Sequence, residues 1–188
     1  MIKHYIAKLI LKFRKLGYKC FSTNKNIIGT CISYQPVVFR GEGTVSFGSN
    51  VRFGVINSPL FYNTYAYIEA RQPHSNIIFG NNITINNNFS VVSERSITIK
   101  DNVLIGYNCK ISDSNFHDLN AERRLQQDPN SKDVVIGDNV FLGNDVTILK
   151  GVSIGDNSVV AAGSIVTKSF PENVIIGGVP ANIIRKLD

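Results

Sequence analysis

A side chain that takes a proton from a hydroxyl at neutral pH is most simply a histidine, because imidazole ordinarily titrates in that range. The chain has three: His4, His74 and His117. His117 stands apart, in the polar run Asp113-Ser114-Asn115-Phe116-His117-Asp118-Leu119-Asn120, which starts just after the apolar Ile111 and stays polar to Asp133. A stretch of that length and polarity reads as a surface loop, and His117 lies at its root, where whatever precedes the loop can hold it. A lone histidine in a polar loop is commonly just solvated, and that reading stands beside the catalytic one. Three scattered histidines do not supply the converging ligands of a zinc site, so no metal is expected. Cys20, Cys31 and Cys109 have no paired spacing and make no disulfide framework, which favours a reducing compartment.

The elements that position His117 are written in a period of six. An aliphatic residue returns at Ile136, Leu142, Ile148, Ile154, Val160 and Val166, followed four positions later by Val140, Val146, Val152, Ser158, Ser164 and Phe170. A gap of two puts both side chains on one face of a strand, and the gap of four must contain a turn. Its fillings, such as Gly-Asp-Asn, Gly-Asn-Asp and Ala-Ala-Gly, include residues that tolerate positive φ. Upstream the register continues through Ile99, Ile105 and Ile111, with Val103 and Cys109 as companions. After a two-residue slip come Phe79, Ile85 and Val91, with Ile83 and Phe89, and a weaker start at Phe47 and Phe53. Short strands broken by turns wind into a solenoid, so the class expected is all-β with parallel coils. Cys109 falls on an inward position and reads as core rather than as a reactive thiol.

Over residues 45–188 these hexads, with Ala161-Ala162-Gly163-Ser164-Ile165-Val166-Thr167-Lys168 and Gly177-Gly178-Val179-Pro180-Ala181, resemble the hexapeptide-repeat acyltransferases. The resemblance implies a left-handed parallel β-helix with three hexads per coil, assembly into trimers with sites between subunits, and acetyl-CoA as co-substrate. The run from Asp113 to His117 resembles the Asp-Ser-Asp-Phe-His signature of the polysaccharide O-acetyltransferase branch. That implies His117 as general base on a sugar hydroxyl, with Asn115 standing where an acid is commoner. By the same resemblance Gly143-Asn144 supply a backbone donor to the oxyanion, Phe141 stands where relatives have Trp, and Asn86 matches a substrate-contacting asparagine. From the residues alone, Asn86 is equally a turn residue. Ala162 and Gly163 are expected beside the pantetheine arm of CoA, Thr167 and Lys168 near its adenosine phosphates, and Pro180 and Arg185 at a last coil and phosphate contact. Read without the family, Lys168 is a solvated lysine, and a short amphipathic helix starts at Pro180, with Ile183, Ile184 and Leu187 closing the open core.

The net charge of +6 does not mark a nucleic-acid binder. Residues 1–41 carry eight Lys and Arg and no acid, while the remainder carries 12 basic and 14 acidic residues. Residues 1–22 have helical periodicity: Ile2, Tyr5, Ile6, Leu9, Ile10, Phe13 and Leu16 form one stripe, and Lys8, Lys12, Lys15 and Lys19 another. Two readings fit this segment: a helix packed on the first coil or on trimer mates, and a peripheral anchor on anionic lipid at the inner face of the plasma membrane. The apolar run Leu9-Ile10-Leu11 is too short for a signal peptide, so the expected location is the cytoplasm. The functions weighed are acetyl transfer to a sugar hydroxyl in surface polysaccharide synthesis, xenobiotic acetylation, N-acylation of an amino sugar, and a non-catalytic carbohydrate-binding or membrane-associated scaffold.

Overall fold

The hexad positions turn inward as their spacing requires. The computed structural model describes residues 2–187, and the side chains of Ile2, Lys3, His4, Tyr5 and Lys8 lie outside what is described. After helix α1 (Ile2–Lys19) the chain makes six coils. They comprise β1 (Ile27–Ile28), β2 (Ile32–Ser33) and β3 (Val37–Gly41); β4 (Thr44–Phe47), β5 (Arg52–Phe53) and β6 (Ala66–Ala70); and β7 (Asn76–Phe79), β8 (Thr84–Ile85) and β9 (Ser90–Ser93). Then follow β10 (Ser96–Ile99), β11 (Leu104–Ile105) and β12 (Lys110–Ser112); β13 (Val134–Ile136), β14 (Phe141–Leu142) and β15 (Thr147–Ile148); and β16 (Ser153–Ile154), β17 (Val159–Val160) and β18 (Ile165–Val166). A last pair, β19 (Val174–Gly178) and β20 (Ala181–Lys186), closes the series. The first, second and third strands of successive coils stack into three parallel sheets, A, B and C, the faces of a left-handed parallel β-helix. The repeat thus begins at Ile27, one coil earlier than the weak Phe47 signal shows.

The interior changes character along its length. Phe47, Phe53, Phe79 and Phe89 fill the early coils, with Phe47 stacked on Phe79 at 5.0 Å between ring centres. Isoleucine, valine and leucine fill the later ones, and Ile136, Leu142, Ile148, Ile154, Val160 and Val166 are at most 1% exposed. Ser158 and Ser164, at inward positions, are buried but satisfied: they donate to the Pro171 and Ala161 carbonyls and accept from the Val174 and Gly178 amides. Corners are turned by asparagines in the left-handed region. Asn82, Asn102, Asn139 and Asn157 have φ between 56° and 60°, and their amides bond across coils, as from Asn82 to Asn102 at 3.3 Å and from Asn139 to Asn157 at 3.0 Å.

One expectation for the ends needs correcting. Residues after Pro180 form no helix: β20 runs antiparallel to β19, pairing Gly178 with Ala181 and Val174 with Lys186. Pairing with β19 and the β-branched Ile183 and Ile184 outweigh the helical spacing. Ile183 and Ile184 are exposed, and Ala181 is the residue that enters the core. At the other end, α1 does not pack through its apolar stripe. Arg14 Nη2 reaches the Thr64 carbonyl at 2.9 Å, Lys15 Nζ reaches that of Ser33 at 3.0 Å, and Tyr18 lies 4.9 Å from Tyr65. Ile6, Leu9, Ile10, Phe13 and Leu16 are each more than half exposed.

Candidate functional site

Two segments leave the coils. The first, residues 54–65, projects where sheet B turns into sheet C and supports α1. Asn87, fully buried on the coil below, anchors it: its Oδ1 accepts from Val55 N–H at 3.0 Å, and its Nδ2 donates to the Val55, Ser58 and Pro59 carbonyls. Phe61 plugs the loop from within, 1% exposed. Of the adjacent asparagines, Asn88 turns the corner at φ 60°, and Asn86 is half-buried with its Oδ1 on Asn87 N–H at 2.7 Å.

The second segment leaves sheet C after β12 and carries His117. Its root is held by charge. Asp113, wholly buried, accepts from Ser93 Oγ at 2.6 Å and from the Glu94 and Arg95 amides at 2.8 and 2.9 Å. Buried Ser114 donates to Glu94 Oε2 at 2.5 Å and accepts from Phe116 N–H at 2.8 Å. Asp128, from the returning limb, accepts from Asn115 N–H at 2.8 Å and from Lys150 Nζ at 2.7 Å. Burial opposes ionisation of Asp128, but Lys150 and the Asn115 and Asn130 amides outweigh it and hold the carboxyl at about 2. Arg71, paired with Glu69 at 3.1 Å, lies over the Phe116 ring at 4.5 Å. That ring sits on backbone at φ 65°, a conformation costing a residue with a Cβ about 1–2 kcal/mol.

These contacts fix the two residues before His117 and leave its ring exposed. Nδ1 lies 3.0 Å from the Arg124 carbonyl. A carbonyl only accepts, so Nδ1 carries the hydrogen, and in the neutral ring the lone pair is on Nε2. Glu94, Asp128, Lys150 and Arg71 escape sequence reasoning, because each is a lone charge that no inward position of the repeat marks. The eight-residue gap between Val91 and Ile99 is an irregularity that contains Glu94, and the polar break after Ile111 contains Asp128.

The remaining candidates divide between two edges of the solenoid. Asn86, Gly143-Asn144 and Ala162-Gly163 lie on turns from sheet B to sheet C, whereas His117 and Thr167-Lys168 lie where sheet C turns to sheet A. One chain therefore keeps these groups a strand's length apart. Gly143 is corrected as an oxyanion donor: its N–H is bound to the Val160 carbonyl at 2.8 Å, and a Cβ there would lie 2.7 Å from Ala162 N. Its glycine is required by coil-to-coil approach. The Asn144 amide has no acceptor among the described residues, so it is the donor available at this corner. Gly163, by contrast, has φ 74° and nothing within 4 Å of a would-be Cβ, leaving open space beside exposed Ala162. Phe141 is outward and 45% exposed on β14. Lys168 Nζ bonds Asn182 Oδ1 at 2.8 Å, Pro180 is exposed at the β19–β20 turn, and Arg185 projects from β20. Cys109 is core: burial raises its thiol to about 11, with Sγ 3.1 Å from the Gly143 carbonyl. Among the described residues no group of three or more His, Cys, Asp or Glu is arranged to hold a metal.

A β-helix with a histidine-bearing loop defines a class, and comparison with known proteins identifies it. A model of the hexapeptide repeat of succinyl-transferase matches residues 133–168. WbbJ of Escherichia coli strain K12, assigned provisionally to O-acetyl transfer in lipopolysaccharide biosynthesis, is 35% identical over 160 residues, covering 80% of this chain and 76% of its own. Galactoside O-acetyltransferase of the same organism is 45% identical over 114 residues, 61% of this chain and 56% of that one. A galactoside acetyltransferase solved in complex with coenzyme A superposes with a TM-score of 0.54 at 33% identity, covering 81% of this chain and 66% of that one. This chain belongs to the hexapeptide-repeat acyltransferase family, sugar O-acetyltransferase branch. It spans a little over half the length of the galactoside enzyme it matches.

Proposed function

We propose that the protein moves an acetyl group from acetyl-CoA to a sugar hydroxyl in a surface polysaccharide or its precursor, working in the cytoplasm. The observation that carries this reading is the restrained, exposed His117 with Nδ1 on the Arg124 carbonyl. Nε2 takes the hydroxyl proton as the sugar oxygen attacks the thioester carbonyl. The Asn144 amide is the donor for the resulting oxyanion. The C–S bond then breaks, and the departing thiolate takes the proton from Nε2. Ala162 and Gly163 offer bare surface for the pantetheine arm, and Thr167, Lys168 and Arg185 offer polar groups for the phosphates. The relatives support the substrates: a galactoside acetyltransferase holding coenzyme A and a lipopolysaccharide O-acetyl transferase.

Reacting atoms must come within about 3.5 Å. With His117 at one edge of sheet C and Asn144 at the other, the proposal includes a second copy, within a trimer, that brings its own edge to the site. The experiment follows thiol release from acetyl-CoA with a panel of sugar acceptors, for wild type, His117→Ala and Gly163→Asp. Each variant alone is expected to be inactive, and a refolded mixture to recover activity. Undiminished turnover in His117→Ala overturns the mechanism, failure to bind CoA favours a scaffold, and a mixture that stays inactive removes the shared site.

A further inference from the structure

We propose that the outward face of α1 is a docking surface for an anionic lipid bilayer, on which the helix lies in the plane of the headgroups. The helix has two unlike faces, and the body uses the less apolar one. Arg14, Lys15 and Tyr18 face the solenoid and are tied to Thr64, Ser33 and Tyr65. The opposite arc, Ile6, Leu9, Ile10, Phe13 and Leu16, is 51–64% exposed at every position. Five large apolar side chains on one helical arc make a continuous patch of the kind soluble surfaces rarely leave uncovered.

Charge selects the occupant. Lys12 and Lys19 are exposed and lie along one flank of that arc. No acidic residue occurs before Glu42, so nothing in this segment repels a negative surface. An apolar stripe bordered by lysines matches the boundary between acyl chains and anionic headgroups. No helix among the described residues is long and apolar enough to cross a membrane, so α1 lies on the bilayer and does not span it. The tether from Arg14 to Thr64 in the loop at 54–65 then holds the solenoid beside the lipid surface.

The inference stands apart from acetyl transfer, and its test needs no catalysis. Full-length protein is sedimented with vesicles of phosphatidylglycerol and phosphatidylcholine, and with vesicles of phosphatidylcholine alone, while mass in solution is measured by light scattering. Wild type is expected to bind the anionic vesicles and to lose binding about tenfold on raising salt from 0.1 to 0.5 M. Leu9→Asp and Phe13→Asp change exposed side chains only, and are expected to abolish binding with folded mass and acetyl-CoA binding unchanged. Lys12→Glu with Lys19→Glu is expected to weaken it strongly. Equal binding to neutral vesicles, no binding at all, or full binding by Phe13→Asp overturns the proposal. So does a fall in molecular mass in Phe13→Asp, because the arc would then be covered by another copy of the chain.

Discussion

The two ejected loops solve one problem with opposite chemistry. Residues 54–65 and 113–133 both leave tight coils and expose polar backbone that something must satisfy. The first is fastened by a neutral amide, Asn87, and an apolar plug, Phe61. The second is fastened by carboxylates, Asp113 and Asp128, set against backbone amides and Lys150. A neutral anchor serves a loop whose task is to hold a helix. An ionic anchor gives stronger, more directional bonds, and it fixes the residues just ahead of His117. Among the described residues, buried carboxylates gather at the loop that carries His117, and residues 54–65 have none.

That contrast can be broken experimentally. His117→Ala removes the proposed base and is expected to lower turnover about 10²–10⁴-fold with no change in unfolding midpoint, since the ring is exposed. A retained rate would deprive the ionic anchor of its purpose. Asn87→Ala leaves the Val55 amide and the Ser58 and Pro59 carbonyls without a partner and is expected to cost about 3 kcal/mol in urea unfolding, with faster proteolysis around α1. Lys150→Met strands the Asp128 carboxylate in the interior. The lysine is partly exposed, so the expected loss is about 2 kcal/mol at pH 7.

The two anchors should also part company in acid. Asp128 is held at about 2, below its ordinary 3.8, so its contribution is complete above 3.8 and fades as pH falls from there towards 2. Asn87 does not titrate. Limited proteolysis across that window is expected to open 113–133 before 54–65, and Lys150→Met is expected to flatten the pH dependence. The smallest effect is expected from Phe116→Gly. Relief of the left-handed backbone and loss of the Arg71 stack nearly cancel, moving stability by less than about 1 kcal/mol. Turnover should still fall, because His117 loses a restrained neighbour.

Periodic features were readable from sequence because each repeats the same physical demand. An inward aliphatic every six residues and Asn or Gly at each corner identified the coils from Phe79 to Phe170, and the long polar break after Ile111 identified the loop and His117. Contacts made once were not readable. Glu94 meets Ser114, Lys150 meets Asp128 and Arg71 meets Phe116 only because stacked coils bring distant residues side by side. The C-terminal hairpin escapes sequence reading for a related reason: Ile183, Ile184 and Leu187 suit a helix by spacing, and only an available partner strand puts Ile183 and Ile184 on a sheet edge. Gly143 carries a similar lesson, since its amide is committed to Val160 in the next coil.

The coil-to-coil bonds also determine how the molecule comes apart. Amides at successive corners reach one coil onward and no further, as Gly80 to Ile99, Lys100 to Ile136 and Gly137 to Ile154 do. In its backbone bonds each layer therefore answers to the layers above and below it, and opening travels inward from the two ends. The layers from β10 to β15, which carry the His117 loop and the Asn144 corner, sit in the middle of the stack. Under native-state hydrogen exchange they are the ones that wait longest for their turn to open.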